Sequence, residues 1–140
     1  MTLNRQALAF TVIPLVLLFG AVVVAPPAEW DALRVAGLAL AVLGFLLLTV
    51  ARAQLGRSFS VTPQARRLVT IGLYRRIRNP VYVFGTVCLL GFVLFAHAPK
   101  LLWLVLVLIP LQVVRARAEA RVLERKFGDD YRAWKRQTWF

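Results

Sequence analysis

The sequence predicts an all-α integral membrane protein with four transmembrane helices and further amphipathic helices at its C-terminal, cytoplasmic end. Hydrophobic residues make up 60% of the 140 positions, whereas soluble domains contain about 45–50%. These residues fall into long apolar runs that are separated by short turns or by strongly basic segments. Because the length suits one domain, residues 1–140 are expected to form a single unit.

Four apolar runs are the predicted membrane spans, because each approaches the length that crosses a bilayer. They cover residues 7–25, 35–51, 81–96 and 101–114. The first run, with Arg5 before it and Ala25 at its end, also fits a cleavable signal peptide. Its length and the runs that follow favour a span. The last run is short, so its helix is expected to continue beyond the bilayer surface.

Small residues recur at helical spacing in the second run. Gly37, Ala41 and Gly44 fall on one face of a helix there. Small side chains allow the backbone of a neighbouring helix to approach closely. This face is therefore predicted to pack against another membrane helix.

The positive charge is unevenly distributed along the chain. The net charge is +12, from 18 basic and 6 acidic residues. Most basic residues lie in segments 52–80 and 115–140, while the short turns are nearly free of them. By the positive-inside rule, both segments and both termini are predicted to be cytoplasmic, in the inner or plasma membrane. The lipid bilayer then accounts for the charge without a nucleic-acid partner.

Several classes of function are disfavoured by what the chain lacks. The interiors of the apolar runs contain no charged residue, which argues against a proton- or ion-coupled transporter. Neither a Gly-x-Gly-x-x-Gly motif nor a P-loop is present. Cys88 and His97 are the only cysteine and histidine, so no metal site is expected. His97 is expected to be an exposed turn residue.

The basic segment 68–82 ends in a helix-start pattern. Asn79 is a suitable N-cap and Pro80 suits the first helical position. The amides of Val81 and Tyr82 would then be free to bind an anion. The neighbouring arginines that add positive charge are Arg75, Arg76 and Arg78. The alternative is an ordinary capped membrane helix with a basic flank.

The basic segment after the last run is predicted to be helical in two parts. Gly128 is expected to break the helix, and Asp129 or Asp130 to cap a short final one. If the helix instead persists through Gly128, one apolar face with a spacing of four is formed by Leu123, Phe127 and Tyr131. Aromatic residues suited to the bilayer interface follow: Trp134, Trp139 and Phe140.

Two motifs stand in order between and after the apolar runs. The first is Leu68-Val69-Thr70-x-Gly72-x-Tyr74-x-x-x-Arg78-Asn79-Pro80-x-Tyr82. The second is Glu119-x-x-x-Leu123-x-x-x-Phe127-Gly128-x-x-Tyr131. Together with the lead-in over residues 55–60, they resemble the signature of the isoprenylcysteine carboxyl methyltransferase and phospholipid methyltransferase superfamily. The resemblance covers roughly residues 55–134.

The resemblance implies a membrane-embedded methyltransferase that uses S-adenosylmethionine (SAM) and acts on a lipophilic small-molecule or prenylated acceptor. By position, the implied catalytic residues are Arg115 and Glu119; without the resemblance, these two would be interpreted as a surface ion pair. The implied cofactor-binding residues are Arg66, Arg67, Leu68, Val69, Tyr74, Asn79, Pro80, Val81 and Tyr82. The aromatic faces expected to meet the sulfonium cation are those of Tyr74, Tyr82 or Phe127.

Two departures from the family pattern concern the cofactor and the acceptor. Asn79 stands where the family often has His, and an amide can still cap the helix and donate a hydrogen bond. Ala120 stands where a second Glu is common, which leaves the type of acceptor open. The alternatives are an NADPH-dependent enzyme similar to sterol reductases and a non-enzymatic membrane module with the same fold.

Overall fold

The computed structural model describes residues 29–55 and 68–139, together with isolated positions 13, 16 and 20. Three α-helices lie in these ranges: α1 (Ala32–Leu55), α2 (Pro80–Phe95) and α3 (Leu102–Gln137). Two short 3-10 helices, Gly72–Arg75 and Pro99–Leu101, precede α2 and α3. The described ranges contain no β-strand, so the all-α class is confirmed for them.

Two helices in the described part of the chain are long and apolar enough to cross a membrane. They are α1 and the helical stretch Pro99–Gln137, which contains α3. Helix α2 has 16 residues, a rise of about 24 Å, which is shorter than a hydrocarbon core of about 30 Å. Two of the predicted spans, 35–51 and 101–114, are therefore found in helices of spanning length. The predicted span 81–96 coincides with the shorter α2, and the predicted span 7–25 lies outside the described ranges.

Small residues bring α1 and α2 into close contact, as predicted. A Cβ atom added to Gly37 would lie 2.5 Å from the backbone nitrogen of Phe95, and one added to Gly44 would lie 2.6 Å from that of Cys88. Ala41 between them is fully buried. Because the neighbours are backbone atoms that cannot rotate away, only glycine permits this separation of the helices.

A polar cluster joins the start of α1 to the turn after α2. His97 Nε2 lies 3.1 Å from Asp31 Oδ2, and Arg34 Nη1 donates a hydrogen bond to the carbonyl of Phe95 at 3.2 Å. The Asp31 carboxylate also accepts a hydrogen bond from the backbone amide of Arg34. His97 is an exposed turn residue, as predicted, and its contact with Asp31 gives it a structural role.

Helix α3 continues well beyond the predicted span and is interrupted at Gly128, where φ is 51° and ψ is −118°. Only glycine readily adopts such a backbone conformation, which explains the predicted break at this position. The predicted cap by Asp129 is not observed. Its Oδ1 atom instead accepts a hydrogen bond from Arg132 Nη1 at 3.2 Å.

A compact hydrophobic cluster forms at the end of the molecule where α1 ends and α2 begins. We call this region the loop end. The buried members of the cluster are Ala51, Tyr74, Tyr131 and Trp134. Partly buried residues surround them: Leu55, Leu68, Val69, Leu73, Val81, Ala120, Leu123 and Phe127. The cluster therefore holds the end of α1, the loop before α2 and the last turns of α3 together, and the candidate site is built on it.

Candidate active site at the loop end

A side chain of α1 makes a hydrogen bond with the loop before α2. Gln54 Oε1 accepts a hydrogen bond from the backbone amide of Leu73 at 2.8 Å. Gly72 next to it has a φ of +58°, and a Cβ atom there would overlap the Gln54 side chain. Sequence reasoning did not identify Gln54, because its position on α1 carries no signal for a contact with a loop 19 residues away.

Tyr74 is the most deeply buried residue of this loop, with a relative exposure of 6%. Its carbonyl oxygen accepts a hydrogen bond from Trp134 Nε1 at 2.9 Å. Burial raises the pKa of the Tyr74 hydroxyl well above its ordinary value, and the nearby Glu119 carboxylate raises it further, against the effect of Arg52. The phenol is therefore neutral at physiological pH and can act only as a hydrogen-bonding group.

The start of α2 differs in one respect from the prediction. Asn79 and Pro80 occupy the N-cap and first helical positions, as expected. The Asn79 side chain, however, makes no capping hydrogen bond, and its carbonyl accepts the backbone amide of Tyr82 at 3.1 Å. The prediction that the Tyr82 amide is free to bind an anion is therefore wrong, because the first turn of the helix uses it.

The two predicted catalytic residues meet a tyrosine from the neighbouring helix. Tyr82 donates its hydroxyl to Glu119 Oε1 at 2.6 Å, and Arg115 Nε donates to the same oxygen at 3.3 Å. The Arg115 guanidinium also lies 6.0 Å from the centre of the Tyr82 ring, within the range of a cation–π contact. Arg115 and Glu119 do form the i,i+4 ion pair of the simpler hypothesis, but Tyr82 makes it an interhelical contact.

A second polar pair lies one helical turn along α2 from Tyr82. Thr86 Oγ1 lies 3.0 Å from Gln112 Oε1 and 2.9 Å from the carbonyl oxygen of Tyr82. Since a hydroxyl group has one proton, Thr86 can donate to only one of these oxygens at a time. Gln112 precedes Arg115 and Glu119 by three and seven residues on α3, so a line of polar side chains faces α2. Neither Thr86 nor Gln112 was predicted.

The remaining predicted cofactor residues divide into two groups. Leu68, Val69 and Val81 pack on the same cluster as Tyr74, and Pro80 is fully buried at the start of α2. Arg66 and Arg67 lie outside the described ranges. The structure thus places four predicted residues around one cluster and three others, Tyr82, Arg115 and Glu119, in the adjoining polar group.

Two buried polar atoms near this segment, Arg78 Nε and the Tyr131 hydroxyl oxygen, have no hydrogen-bond partner of good geometry within the described ranges. The two side chains are nevertheless close to each other, and the Arg78 guanidinium acts to lower the pKa of the Tyr131 hydroxyl against the larger, opposite effect of burial. Buried polar groups usually make hydrogen bonds, so such a pair is suited to a ligand that carries oxygen acceptors.

Among the residues that the structure describes, no group of three or more His, Cys, Asp or Glu could hold a metal ion.

Comparison with known protein families gives a match. The model of a family described as phospholipid methyltransferase matches residues 32–130, from the first residue of α1 to two residues beyond Gly128. The match includes all three residues of the polar group and the loop that precedes α2. No curated protein matches the chain.

Proposed function

This chain belongs to the phospholipid methyltransferase family, within the superfamily suggested by its motifs, and we propose that it transfers the methyl group of SAM to a lipophilic or amphiphilic acceptor. Family membership and the two helices of spanning length support a membrane methyltransferase. The use of SAM, the acceptor and the roles of individual residues are the parts that we propose.

The observation that carries the proposal is the position of the Glu119 carboxylate. It is held from α2 by Tyr82 and from its own helix by Arg115, both through Oε1. The side chains of Arg115 and Glu119 remain about one third exposed, at 34% and 28%. A carboxylate that is fixed but accessible can orient an acceptor group or take its proton.

The residues of the loop end fit the chemical groups of SAM. A sulfonium cation has no hydrogen-bond donor, and aromatic faces attract it; Tyr82 and Phe127 supply such faces here. A carboxylate or ribose hydroxyl needs donors, and Arg78 Nε and the Tyr131 hydroxyl are buried donors for which the described residues offer no partner of good geometry. The bound donor would supply an activated methyl group. The protein's own contribution is then to position the acceptor and exclude water.

Glu119 and Arg115 have separate proposed roles. Arg115 binds an anionic part of the acceptor and keeps Glu119 in place. Glu119 orients the acceptor nucleophile and removes its proton when that nucleophile is an amine. A carboxylate acceptor, as in a prenylated cysteine, is already deprotonated at neutral pH and needs only orientation. An isoprenylcysteine-type carboxylate, a phospholipid amine and another lipophilic acceptor are therefore the three candidates.

The location of the polar group suits an acceptor that arrives from the lipid. Apolar side chains of α3 next to it are exposed, including Leu111, Val113 and Val114. In a membrane these side chains contact lipid, so an amphiphilic acceptor can place its polar end beside Glu119 while its apolar part stays in the bilayer.

Binding and transfer measurements test the proposal directly. Purified protein in lipid nanodiscs should bind SAM in calorimetry and should not bind NADPH. It should also transfer a labelled methyl group to phosphatidylethanolamine or to a farnesylated cysteine analogue. Binding of NADPH instead of SAM would support the reductase, and a folded protein that binds neither would support the non-enzymatic module. Either result contradicts the proposal.

A further inference from the structure

The last residues of the chain pair with the loop that leads into α2. Trp139 donates its backbone amide to the carbonyl of Arg76 at 2.6 Å, and its own carbonyl accepts the amide of Arg78 at 2.9 Å. Ile77 and Trp139 thereby form an isolated parallel β-bridge. The indole of Trp134 adds the hydrogen bond to the Tyr74 carbonyl. Residues 129–139, which we call the C-terminal segment, thus bond to three alternate residues of the loop.

These contacts satisfy backbone groups that the loop cannot satisfy itself. The 3-10 helix ends at Arg75, and α2 begins only at Pro80. The carbonyl of Arg76 and the amide of Arg78 lie between the two helices, and Trp139 is their partner. Because both groups are bonded to Trp139, the C-terminal segment restricts the conformation in which the loop enters α2.

The chain reaches the loop because it turns at Gly128 and is anchored by two aromatic residues. Tyr131 is fully buried and Trp134 is 8% exposed, with ring centres 5.6 Å apart. Both pack on Tyr74 and Ala51 in the cluster. Thr138, later in the chain, is also buried, with a relative exposure of 8%. The family match ends at residue 130, so these anchors lie beyond it.

From these contacts we propose that the C-terminal segment positions residues 74–82 for binding of SAM, with Trp134 and the backbone of Trp139 as the positioning groups. The inference rests on the proposed function. Arg78 Nε and the Tyr131 hydroxyl, which have no hydrogen-bond partner of good geometry in the described part of the chain, belong to the loop and the C-terminal segment respectively. A ligand that accepts hydrogen bonds from both joins the two segments. Binding of SAM and docking of the C-terminal segment are then coupled, and the coupling is reciprocal.

Two variants remove the positioning groups. A chain that ends at Gln137 lacks both backbone bonds made by Trp139 but retains Tyr131 and Trp134. Trp134→Phe keeps an aromatic ring in the cluster but removes the Nε1 donor together with part of the buried indole. The matched controls are a chain that ends at Trp139, which retains both backbone bonds, and Trp103→Phe, a change at a residue of α3 that is 57% exposed.

Hydrogen exchange and SAM titration of the full-length protein and these four variants test the inference. Without ligand, the amides of residues 74–78 should exchange faster in the chain ending at Gln137 and in Trp134→Phe than in the controls. SAM affinity should fall about tenfold in the same two variants, as expected from losing one or two net hydrogen bonds. In the full-length protein, SAM should slow exchange at Arg78 and Trp139.

The outcomes separate this inference from the proposed function. If residues 74–78 exchange equally fast in all chains, the C-terminal segment does not position the loop, whatever binds there. If exchange accelerates but SAM affinity is unchanged, the segment stabilises the fold without acting on the site, and the inference is wrong. If the full-length protein does not bind SAM, the proposed function fails, and the exchange rates alone decide whether the segment positions the loop.

Discussion

The hydroxyl group of Tyr82 lies 2.6 Å from Glu119 Oε1 and joins the first turn of α2 to α3. The two residues are separated by 37 positions in the sequence. Hydrogen bonds to a charged group are stronger than those between neutral groups. The orientation of Glu119 therefore depends on α2, and through Asn79 and Pro80 on the loop that contains the proposed cofactor contacts.

This bond predicts an energetic coupling between the two residues. In a double-mutant cycle of Tyr82→Phe and Glu119→Ala, each of which removes the bond, the free energies of unfolding should deviate from additivity by about 1–3 kcal/mol. Chemical unfolding of the parent, the two single variants and the double variant in detergent micelles measures this deviation. Additive effects would mean that the contact contributes nothing, and that Glu119 is held by Arg115 alone.

The contact between α1 and α2 predicts that alanine substitutions at two glycines of the molecule differ strongly in their effect on the stability of the protein. Gly44→Ala should destabilise the protein by about 1–3 kcal/mol, because the added methyl group would meet backbone atoms of Cys88. Gly85→Ala is the matched control: nothing lies within 4 Å of its Cβ position, and alanine favours the helix. Thermal melting of both variants tests this. A Gly44→Ala protein as stable as Gly85→Ala would show that the helices do not approach as described.

Asn79 provides a test of the cofactor segment. Its side chain makes no capping hydrogen bond, so Asn79→Ala removes no helix cap, and melting without ligand measures what its other contacts contribute to stability. If the amide contacts SAM, the same variant should bind SAM more weakly by about 1–3 kcal/mol. Asn79→His, which restores the residue common in the family, should bind SAM like the parent. Equal SAM affinity in Asn79→Ala would place the cofactor elsewhere.

The features that sequence reasoning found are those with a local cause. Asn79-Pro80 marks the start of α2, and Gly128 marks the break in α3, because each depends on the backbone preferences of the residues themselves. The face formed by Gly37 and Gly44 could be predicted for a similar reason, because helical spacing alone brings these residues to the same side of the helix. Helix positions and a close helix contact on this face of α1 could therefore be predicted, whereas the partner helix could not.

The features that sequence reasoning missed depend on contacts between distant residues. Trp134 bonds to Tyr74 across 60 positions, and Thr86 meets Gln112 across 26. Sequence analysis placed Trp134 and Trp139 at the bilayer interface because aromatic residues are common there, whereas Trp134 is buried in the cluster. The exposed indole of Trp139 remains compatible with that prediction.

The hydrogen bond from the Tyr82 amide to the Asn79 carbonyl was missed because the first turn of α2 is tighter than an ideal helix start.

The arginine distribution predicts the orientation of the chain in the membrane. The turn that contains Lys100 should lie on the side opposite the C-terminal segment, which should be cytoplasmic. Lys100→Cys and Lys135→Cys place thiols at exposed positions on the two sides, while Cys88 is buried. An impermeant thiol reagent added to intact cells should label only Lys100→Cys. Labelling of both variants, or of Lys135→Cys alone, would contradict the predicted topology and the cytoplasmic location of the site.

Glu119→Gln separates the proposed chemistry from binding. The substitution keeps the shape of the side chain and its ability to accept from Tyr82, but it removes the charge and the base. SAM affinity should stay within a few-fold, while transfer to an amine acceptor should fall by about 10²–10⁴, the range for loss of a general base. With a carboxylate acceptor, the loss should be smaller because no proton is removed. Glu124→Gln is the control: Glu124 also pairs with an arginine, Arg132 at 2.9 Å, but lies outside the polar group. If both variants turn over like the parent with a verified acceptor, Glu119 is a structural residue, and catalysis depends on other groups.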